Sequence, residues 1–342
     1  MRIGIDVDSG ERPFQELVSG ALESSYQNQN ISYFLIGKSD RIRDSFNDIE
    51  SYSNVFLVDA KEFIQMDESP ILALKKKRDA TVLIGCRMLR NNTIDVFFSP
   101  GNTGATVAAS VLTLGTINGI KKPSMAAFFP RIGGGETLIL DIGANPETNE
   151  ETLFHNAILG HAYYRVVWDK TEPTIGLLNM GAEIGKGSTN IKKAFNYLSG
   201  ISSFIGNVEG YNVLNGSVDV VVCDGFTGNS ILKFAEAMKE LFSSTLKDVF
   251  SDKDKGKNKQ NLLSYTFDAL GIYKEKKRVI TERITPKYFG AAPLLGVNGC
   301  VLVGHGMCSK RDLINSISLA YKLYKDKYMR KISLNVKNFL KK

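Results

Sequence analysis

Short apolar runs alternate along the chain with segments whose apolar residues recur at helical spacing. Ile3, Ile5 and Val7 predict a first strand, and the apolar residues from Phe14 to Leu22 follow the i, i+3, i+4, i+7 pattern of a helix. The other predicted strands are Tyr33–Ile36, Val55–Val58, Val96–Ser99, Leu138–Asp141, Thr174–Asn179, Val218–Cys223 and Gly299–Val303. Most are continuously apolar, which is typical of strands buried on both faces. The alternation predicts an α/β fold with a doubly wound, mainly parallel sheet.

Three of the predicted strands end in turns rich in Gly, Asn and Thr, namely Ser99–Ala105, Asp141–Pro146 and Cys223–Ser230. Ligands of such sheets bind beyond the carboxyl ends of the strands. Glycines allow close approach of the backbone, and N–H groups at helix starts bind anions. One such turn is explained equally well by turn geometry, but three together favour an anion site. The candidate residues are Gly101, Asn102, Thr103, Gly104, Gly143, Asn145, Asp224, Thr227, Gly228 and Asn229, and Asn179 at the end of another predicted strand is a further candidate for binding phosphate.

Helix starts follow two of these turns. Thr148 and Glu151 have the spacing of a capping box, and Asn229 begins a long apolar pattern of helical period.

Two further segments carry charged or titratable candidates. Lys186 stands between glycines, after the apolar run that ends at Asn179, and we expect it to supply a cation. Its surroundings do not match the spacing of a P-loop. His305 stands between glycines after the last predicted strand. This position fits a site residue, and a structural hydrogen-bonding role explains it equally well.

Composition limits the classes of function. The 342 residues are 43% hydrophobic, and no apolar run is long enough to span a membrane. In Met1-Arg-Ile-Gly-Ile-Asp6 a charge arrives before any apolar h-region could form, which disfavours a signal peptide, so we expect a cytoplasmic protein. The four cysteines form no C-x-x-C pair and are expected to be reduced and buried. His155 and His161 lie six residues apart, which places them on different helix faces, and no metal or cofactor is predicted.

The net charge of +7 comes partly from basic clusters. These clusters are either solvated faces or a surface for an acidic partner or anionic lipid. Aromatic residues are not interleaved with them, so nucleic acid is not expected. Residues 245–272 predict a helical hairpin that projects from a single α/β domain spanning 1–342. Its apolar residues would pack on the body or on a second copy, or would contact a membrane surface.

The five glycine-rich segments, in this order, resemble the bacterial phosphate acyltransferase family PlsX. The similarity runs from Ile3 to about Ile317 and includes Met66–Pro70 and Phe204–Gly210. It implies a Rossmann-like, three-layer α/β homodimer without metal or nucleotide, associated with the inner face of the membrane. It also implies transfer of a long-chain acyl group from acyl-carrier protein to inorganic phosphate. The acyl phosphate would serve phospholipid synthesis through a glycerol-phosphate acyltransferase.

Some family positions differ here. Ser9-Gly10-Glu11 replaces a Gly-Gly-Asp turn, and Met307 and Cys308 replace serines, whereas the cores of the glycine-rich motifs are intact.

The implied reaction explains the missing nucleophile, because phosphate itself attacks the thioester. Lys186, Asn102, Asn145 and Asn229 are expected to hold phosphate and the developing oxyanion. His305 would orient a substrate or protonate the leaving sulfur. An acidic carrier would dock on basic residues, for which the candidates are Lys75, Lys76, Lys77, Arg78 and Arg278. The rival hypotheses are a phosphotransacetylase-like enzyme acting on short acyl-CoA and a non-catalytic, membrane-associated scaffold that binds acyl carriers.

Overall fold

Eleven strands form one sheet in the computed structural model, which describes residues 1–250 and 290–340. The strands are β1 (Arg2–Asp6), β2 (Ser32–Gly37), β3 (Val55–Asp59), β4 (Val96–Ser99), β5 (Ser124–Pro130), β6 (Glu136–Leu140), β7 (Ile175–Leu178), β8 (Phe204–Val208), β9 (Val220–Val222), β10 (Ala291–Leu295) and β11 (Cys300–Gly304). All eight strands predicted from the sequence are present. The predictions omitted β5, β8 and β10.

Helices connect the strands. They are α1 (Phe14–Gln27), α2 (Ser39–Ser45), α3 (Pro70–Lys76), α4 (Thr81–Arg90), α5 (Thr103–Leu114), α6 (Glu150–Trp168), α7 (Thr189–Leu198), α8 (Asn212–Asn215), α9 (Gly225–Phe250), α10 (Lys310–Lys325) and α11 (Tyr328–Phe339). Of the helices described, none is both long and apolar enough to cross a bilayer. Beyond the end of α9, the predicted hairpin at 245–272 lies outside the described residues.

Both faces of the sheet are covered, as the continuous apolar runs predict. In β6, Leu138 and Leu140 join one buried cluster and Ile139 joins the other. The first cluster includes residues of α1, α6, α10 and α11, and the second includes residues of α4, α5 and α9. This arrangement is the expected three-layer α/β fold.

The strand order is β3-β2-β1-β4-β11-β10-β5-β6-β9-β7-β8. Seven of the ten neighbouring pairs are parallel, which confirms a mainly parallel sheet. The three antiparallel pairs, β11–β10, β10–β5 and β5–β6, lie together in its centre. Because the direction reverses three times there, β6 to β9 run opposite to β1 to β4 and β11.

The two halves of the sheet join through a short stretch of β10. Ala291–Pro293 pairs with β11, and only Leu294 and Leu295 pair with β5. Pro293, which has no N–H to donate, lies where the partner changes. Met125 pairs with Leu294, and its carbonyl oxygen accepts the N–H of Ile142 at 3.1 Å. The turn after β6 therefore lies at the junction between the halves.

Two predicted helix starts are wrong by one or more residues. The cap of α6 is Asn149, whose Oδ1 accepts from the Thr152 N–H at 3.0 Å, and not Thr148. Helix α9 begins at Gly225, four residues before Asn229. Asp224 lies just before it, and its Oδ1 accepts from the Thr227 N–H at 2.8 Å. Asn229 consequently lies within the helix.

Candidate active site

A cleft of about 540 Å³ lies at the junction between the two halves of the sheet. The turns after β4, β6, β9 and β11 all contribute to it, through Thr103, Gly143, Gly225 and His305 respectively. The predicted turns therefore converge, although at the junction of two opposed half-sheets and not along one edge. The polar side chains that line the cleft are Glu11, Thr103, Asn229, Lys233, Glu236 and His305. Its apolar lining includes Met66, Met125, Ile142, Phe226, Leu232 and Val303.

Asp141 organises the turn after β6. Its Oδ1 accepts from the backbone N–H groups of Met125, Gly143 and Ala144 at 2.9–3.1 Å. Its Oδ2 accepts from the Asn145 N–H at 2.8 Å and from Asn145 Nδ2 at 2.9 Å. Burial raises the pKa of this carboxyl, against the opposing effect of the donors. Asp141 is not among the residues predicted from the sequence, although an acid that ends a buried apolar strand is a signal for such a role.

The start of α9 packs directly on this turn. A Cβ on Gly228 would overlap the carbonyl oxygen of Asp141, and one on Gly225 would overlap that of Asn145. The Gly225 N–H donates to the same Asn145 oxygen at 3.0 Å. These two glycines let the helix N-terminus and the turn share one wall of the cleft. From the next turn of the helix, Asn229 faces the cleft, and its side chain has no hydrogen-bond partner among the described residues.

The amides of two predicted site residues are occupied within the fold. Asn102 Oδ1 caps α5 by accepting from the Ala105 N–H at 3.0 Å, and Nδ2 donates to the carbonyl oxygens of Gln65, Met66 and Glu68. Asn145 Nδ2 donates to the Pro123 carbonyl oxygen at 2.6 Å and to Asp141. Neither residue lines the cleft. Both hold the walls in place.

A buried carboxylate supports the turn after β4. Asp6 ends β1, and its Oδ2 accepts from Ser99 Oγ at 2.8 Å. Its Oδ1 accepts from the N–H groups of Asp8 and Ser9 at 3.3 and 3.2 Å. Ser9 in turn packs against Gly101. Burial raises the pKa of Asp6 to about 6. Like Asp141, it ends an apolar strand and is absent from the sequence-based candidates.

His305 lies exposed at the cleft, and its ring contacts both a backbone donor and a lysine. The Met307 N–H donates to Nδ1 at 3.1 Å. Nε2 lies 3.0 Å from Nζ of Lys233, which also donates to Glu236 Oε2 at 2.9 Å. Lys233 is the lysine of the cleft lining and was not predicted.

Lys186 lies elsewhere, in the exposed loop between β7 and α7. Its N–H donates to the Glu183 carbonyl oxygen at 3.1 Å, and its own carbonyl oxygen accepts from Asn179 Nδ2 at 3.1 Å. Gly187 has a φ of +90° and packs on Asn179. The glycines and Asn179 thus shape this loop. Lys186 is not among the residues that line the cleft, and its predicted catalytic role stays a prediction.

Comparisons with known proteins agree with this architecture and identify the family. The family model described as "Fatty acid synthesis protein" matches residues 1–331. A phosphate acyltransferase of Caldanaerobacter subterraneus subsp. tengcongensis is 36% identical over 333 residues, which cover 97% of this chain and 96% of the relative. One of Thermoanaerobacter pseudethanolicus is 37% identical over 321 residues, or 94% and 92% of the two chains.

The chain belongs to the phosphate acyltransferase family PlsX.

Membership in this family makes the chain a transferase enzyme of fatty-acid and phospholipid synthesis. Solved structures support the fold. A phosphotransacetylase from Streptococcus pyogenes aligns with a TM-score of 0.59 at 16% identity, over 95% of this chain and 94% of its own. The EutD phosphotransacetylase from Staphylococcus aureus aligns with a TM-score of 0.56 at 14% identity, over 97% and 94%.

The predicted docking residues of this acyltransferase differ in how they are presented. Lys75, Lys76 and Arg78 are exposed around the end of α3. Lys77 is turned inward, where its Nζ donates to Glu68 Oε2 at 2.6 Å and to the Phe63 carbonyl oxygen at 2.9 Å. Arg278 lies outside the described residues.

The cysteines of this acyltransferase are buried, as predicted, and unpaired. Burial raises the pKa of Cys86, Cys300 and Cys308 to about 12 and that of Cys223 as well, so none is a ready nucleophile. Over residues 1–250 and 290–340, no group of three metal-ligating side chains occurs.

Proposed function

We propose that this enzyme transfers a long-chain fatty acyl group from the thioester of acyl-carrier protein to inorganic phosphate. The observation that supports it best is the cleft itself. There the N-terminal residues Gly225 and Phe226 of a long helix meet the Asp141-organised turn and the Thr103 turn. The positive end of the helix dipole at Gly225 and Phe226 favours an anion such as phosphate in the cleft.

The step needs little covalent help from the protein. A phosphate oxygen attacks the thioester carbon, the C–S bond breaks, and the carrier's thiolate leaves. A free thiol has a pKa of about 8.5, so this leaving group needs no strong acid. The enzyme's task is to position the two substrates and to stabilise the oxyanion that forms on the carbonyl oxygen. Asn229 supplies a side-chain amide for that purpose, and Lys186, in the β7–α7 loop, stays a further predicted contributor.

The basic end of α3 is the proposed docking surface for the acidic carrier. Lys75, Lys76 and Arg78 are exposed there. The preceding loop contributes Met66 to the cleft and is tied to α5 by Asn102. A carrier bound on this surface would therefore be next to a wall of the cleft.

Further parts of the proposal concern the assembly and its place in the cell. The enzyme acts as a cytoplasmic homodimer, with peripheral contact to the inner face of the membrane. Its acyl phosphate product is consumed by a glycerol-phosphate acyltransferase. The hairpin predicted for membrane contact lies outside the described residues, so the proposal for this contact comes from the sequence alone.

A thioester assay tests the proposed reaction. Purified full-length protein is mixed with palmitoyl-acyl-carrier protein, and free thiol is followed with and without phosphate. Hydroxylamine traps acyl phosphate as the hydroxamate. Phosphate-dependent thiol release with equal hydroxamate is expected. Acetyl-CoA and palmitoyl-CoA serve as alternative donors. Faster turnover of acetyl-CoA would replace the proposal by the phosphotransacetylase-like hypothesis, and thiol release independent of phosphate would refute both.

A further inference from the structure

Three polar residues of α9 line the cleft on successive turns. Asn229, Lys233 and Glu236 are spaced i, i+4 and i+7, so they share one face of the helix. The first lies beside the Asp141-organised turn, since a Cβ on Gly143 would meet its side chain. The second reaches His305, from the turn after β11. The face therefore spans the cleft from one half of the sheet to the other.

The backbone N–H that contacts His305 assigns the proton within the neutral ring. Nδ1 accepts the Met307 N–H at 3.1 Å, so it holds a lone pair and no proton. In the neutral ring the proton is then on Nε2, and Nε2 is a donor. In this geometry His305 is a hydrogen-bond donor into the cleft.

The group opposite Nε2 is also a donor. Nζ of Lys233 lies 3.0 Å away, and an ammonium has three donors and no acceptor. One of its protons goes to Glu236 Oε2 at 2.9 Å, which fixes the side chain in place. Two donors that face each other at this distance repel, unless an acceptor contacts both. An oxyanion is such an acceptor, and charge-assisted bonds to it are the strong ones.

We propose that Lys233 and His305 form the phosphate-binding pair of the cleft, each donating to an oxygen of the inorganic phosphate substrate. This inference rests on the proposed function and adds the residues that hold the nucleophile. Glu236 is the positioning residue for the ammonium. Glu11 also lines the cleft, and its carboxylate opposes binding of an anion near it.

Direct binding of phosphate tests the pair without any acyl donor. Isothermal titration calorimetry with inorganic phosphate compares the full-length protein with Lys233→Met, Lys233→Arg and Lys239→Met. Lys239 is on the same helix but does not line the cleft, so its variant is a control for net charge. Lys233→Met is expected to weaken binding roughly ten- to a hundredfold. Arginine keeps the charge and should restore part of the affinity, and Lys239→Met should bind as the unsubstituted protein does.

Kinetics supply the second readout. In the thiol-release assay, Lys233→Met should raise KM for phosphate and leave KM for acyl-carrier protein unchanged. Circular dichroism identifies any variant that fails to fold, and Lys233→Gln then takes its place. Wild-type affinity for phosphate in a folded Lys233→Met or Lys233→Gln variant would overturn the inference, with the proposed function intact. Phosphate binding by the unsubstituted protein without phosphate-dependent thiol release would instead overturn the proposed function.

Discussion

Replacing Asp141 by asparagine keeps the size of a buried side chain and removes one of its two acceptor oxygens. The remaining oxygen would take the place of Oδ1, where it accepts three backbone N–H groups. The new NH₂ group would then face the N–H and Nδ2 of Asn145, which are both donors. Asn145 cannot turn its amide to help, because Nδ2 also donates to the Pro123 carbonyl oxygen.

The expected loss of stability combines two opposite terms. Asn145 Nδ2 keeps its bond to the Pro123 carbonyl oxygen, so the Asn145 N–H is the donor left without a partner, at a cost of about 1–3 kcal/mol. Burial raises the pKa of Asp141, which means that the charged form carries a desolvation cost that a neutral amide avoids. The net decrease in the free energy of unfolding should therefore lie at the lower end, about 1 kcal/mol. Displacement of Gly143 and Asn145 should also lower kcat, roughly a hundredfold for a shift of about 1 Å.

Urea unfolding and the thiol-release assay measure the two effects separately. Asp219→Asn is the control, because Asp219 is also buried but lies before β9 and does not line the cleft. It accepts from Lys170 at 2.6 Å and Arg131 at 3.1 Å. Its loss should lower stability and leave kcat near that of the unsubstituted enzyme. The reasoning fails if folded Asp141→Asn keeps kcat within about twofold, or if both variants lose turnover equally.

Substitutions in three other places test separate parts of the structure. Gly228→Ala should lower both stability and kcat, because the new Cβ would overlap the Asp141 carbonyl oxygen. Gly133→Ala is the control, because a Cβ on Gly133 meets nothing within 4 Å. Equal urea midpoints for the two alanine variants would contradict this prediction. Lys76→Glu should raise KM for acyl-carrier protein and the salt sensitivity of that KM, without loss of stability. Lys77→Glu should have the same effect on KM and should also lower stability, because it breaks the ion pair with Glu68. An unchanged KM for Lys76→Glu would exclude this docking surface. Asp6→Asn tests how the raised pKa of Asp6 affects stability. The folded pKa of about 6 exceeds the ordinary 3.8, so Asp6 binds its proton more tightly in the native state than in the unfolded state. Its contribution to stability therefore falls as pH rises from about 4 to 6. The unfolding free energy of Asp6→Asn relative to wild type should therefore increase over this pH range, by at most about 3 kcal/mol at 1.36 kcal/mol per pKa unit. A difference that does not change with pH, measured by urea unfolding, would refute the raised pKa of Asp6.

The hydrophobic pattern predicts most of the fold because parallel strands buried on both faces are continuous apolar runs. It does not predict the reversal in the centre of the sheet. Ala291–Leu295 contains a proline and follows a glycine, so it resembles a loop, yet Pro293 is tolerated where β10 changes partners. Strand direction depends on pairings between residues more than a hundred positions apart, such as Leu294 with Met125. Local periodicity does not contain that information.

The sequence also locates the site better than it identifies the contacting groups. Gly- and Asn-rich turns indicate where the backbone bends sharply beside a helix start, and the three turns do converge on one cleft. The asparagines that make such turns possible use their amides inside the fold, as Asn102 and Asn145 do. The glycines that flank Lys186 similarly shape a loop around Asn179. In these segments the Gly and Asn residues shape and hold the loops, and their presence does not identify the groups that contact a substrate.

The groups that face the cleft follow a different rule, which makes the site depend on helix α9. Lys233 and Glu236 lie in an ordinary amphipathic helix pattern, in which charged residues are usually solvated. Only the position of the helix start places the helix face that carries them toward His305. Asp224 sets this start, and Gly225 and Gly228 set the contact with the Asp141 turn. A substitution that moved the start of α9 by one residue would rotate Asn229, Lys233 and Glu236 together by about 100° about the helix axis, away from the cleft. Capping and close packing at one end of the helix therefore decide which side chains can meet a substrate two turns further along.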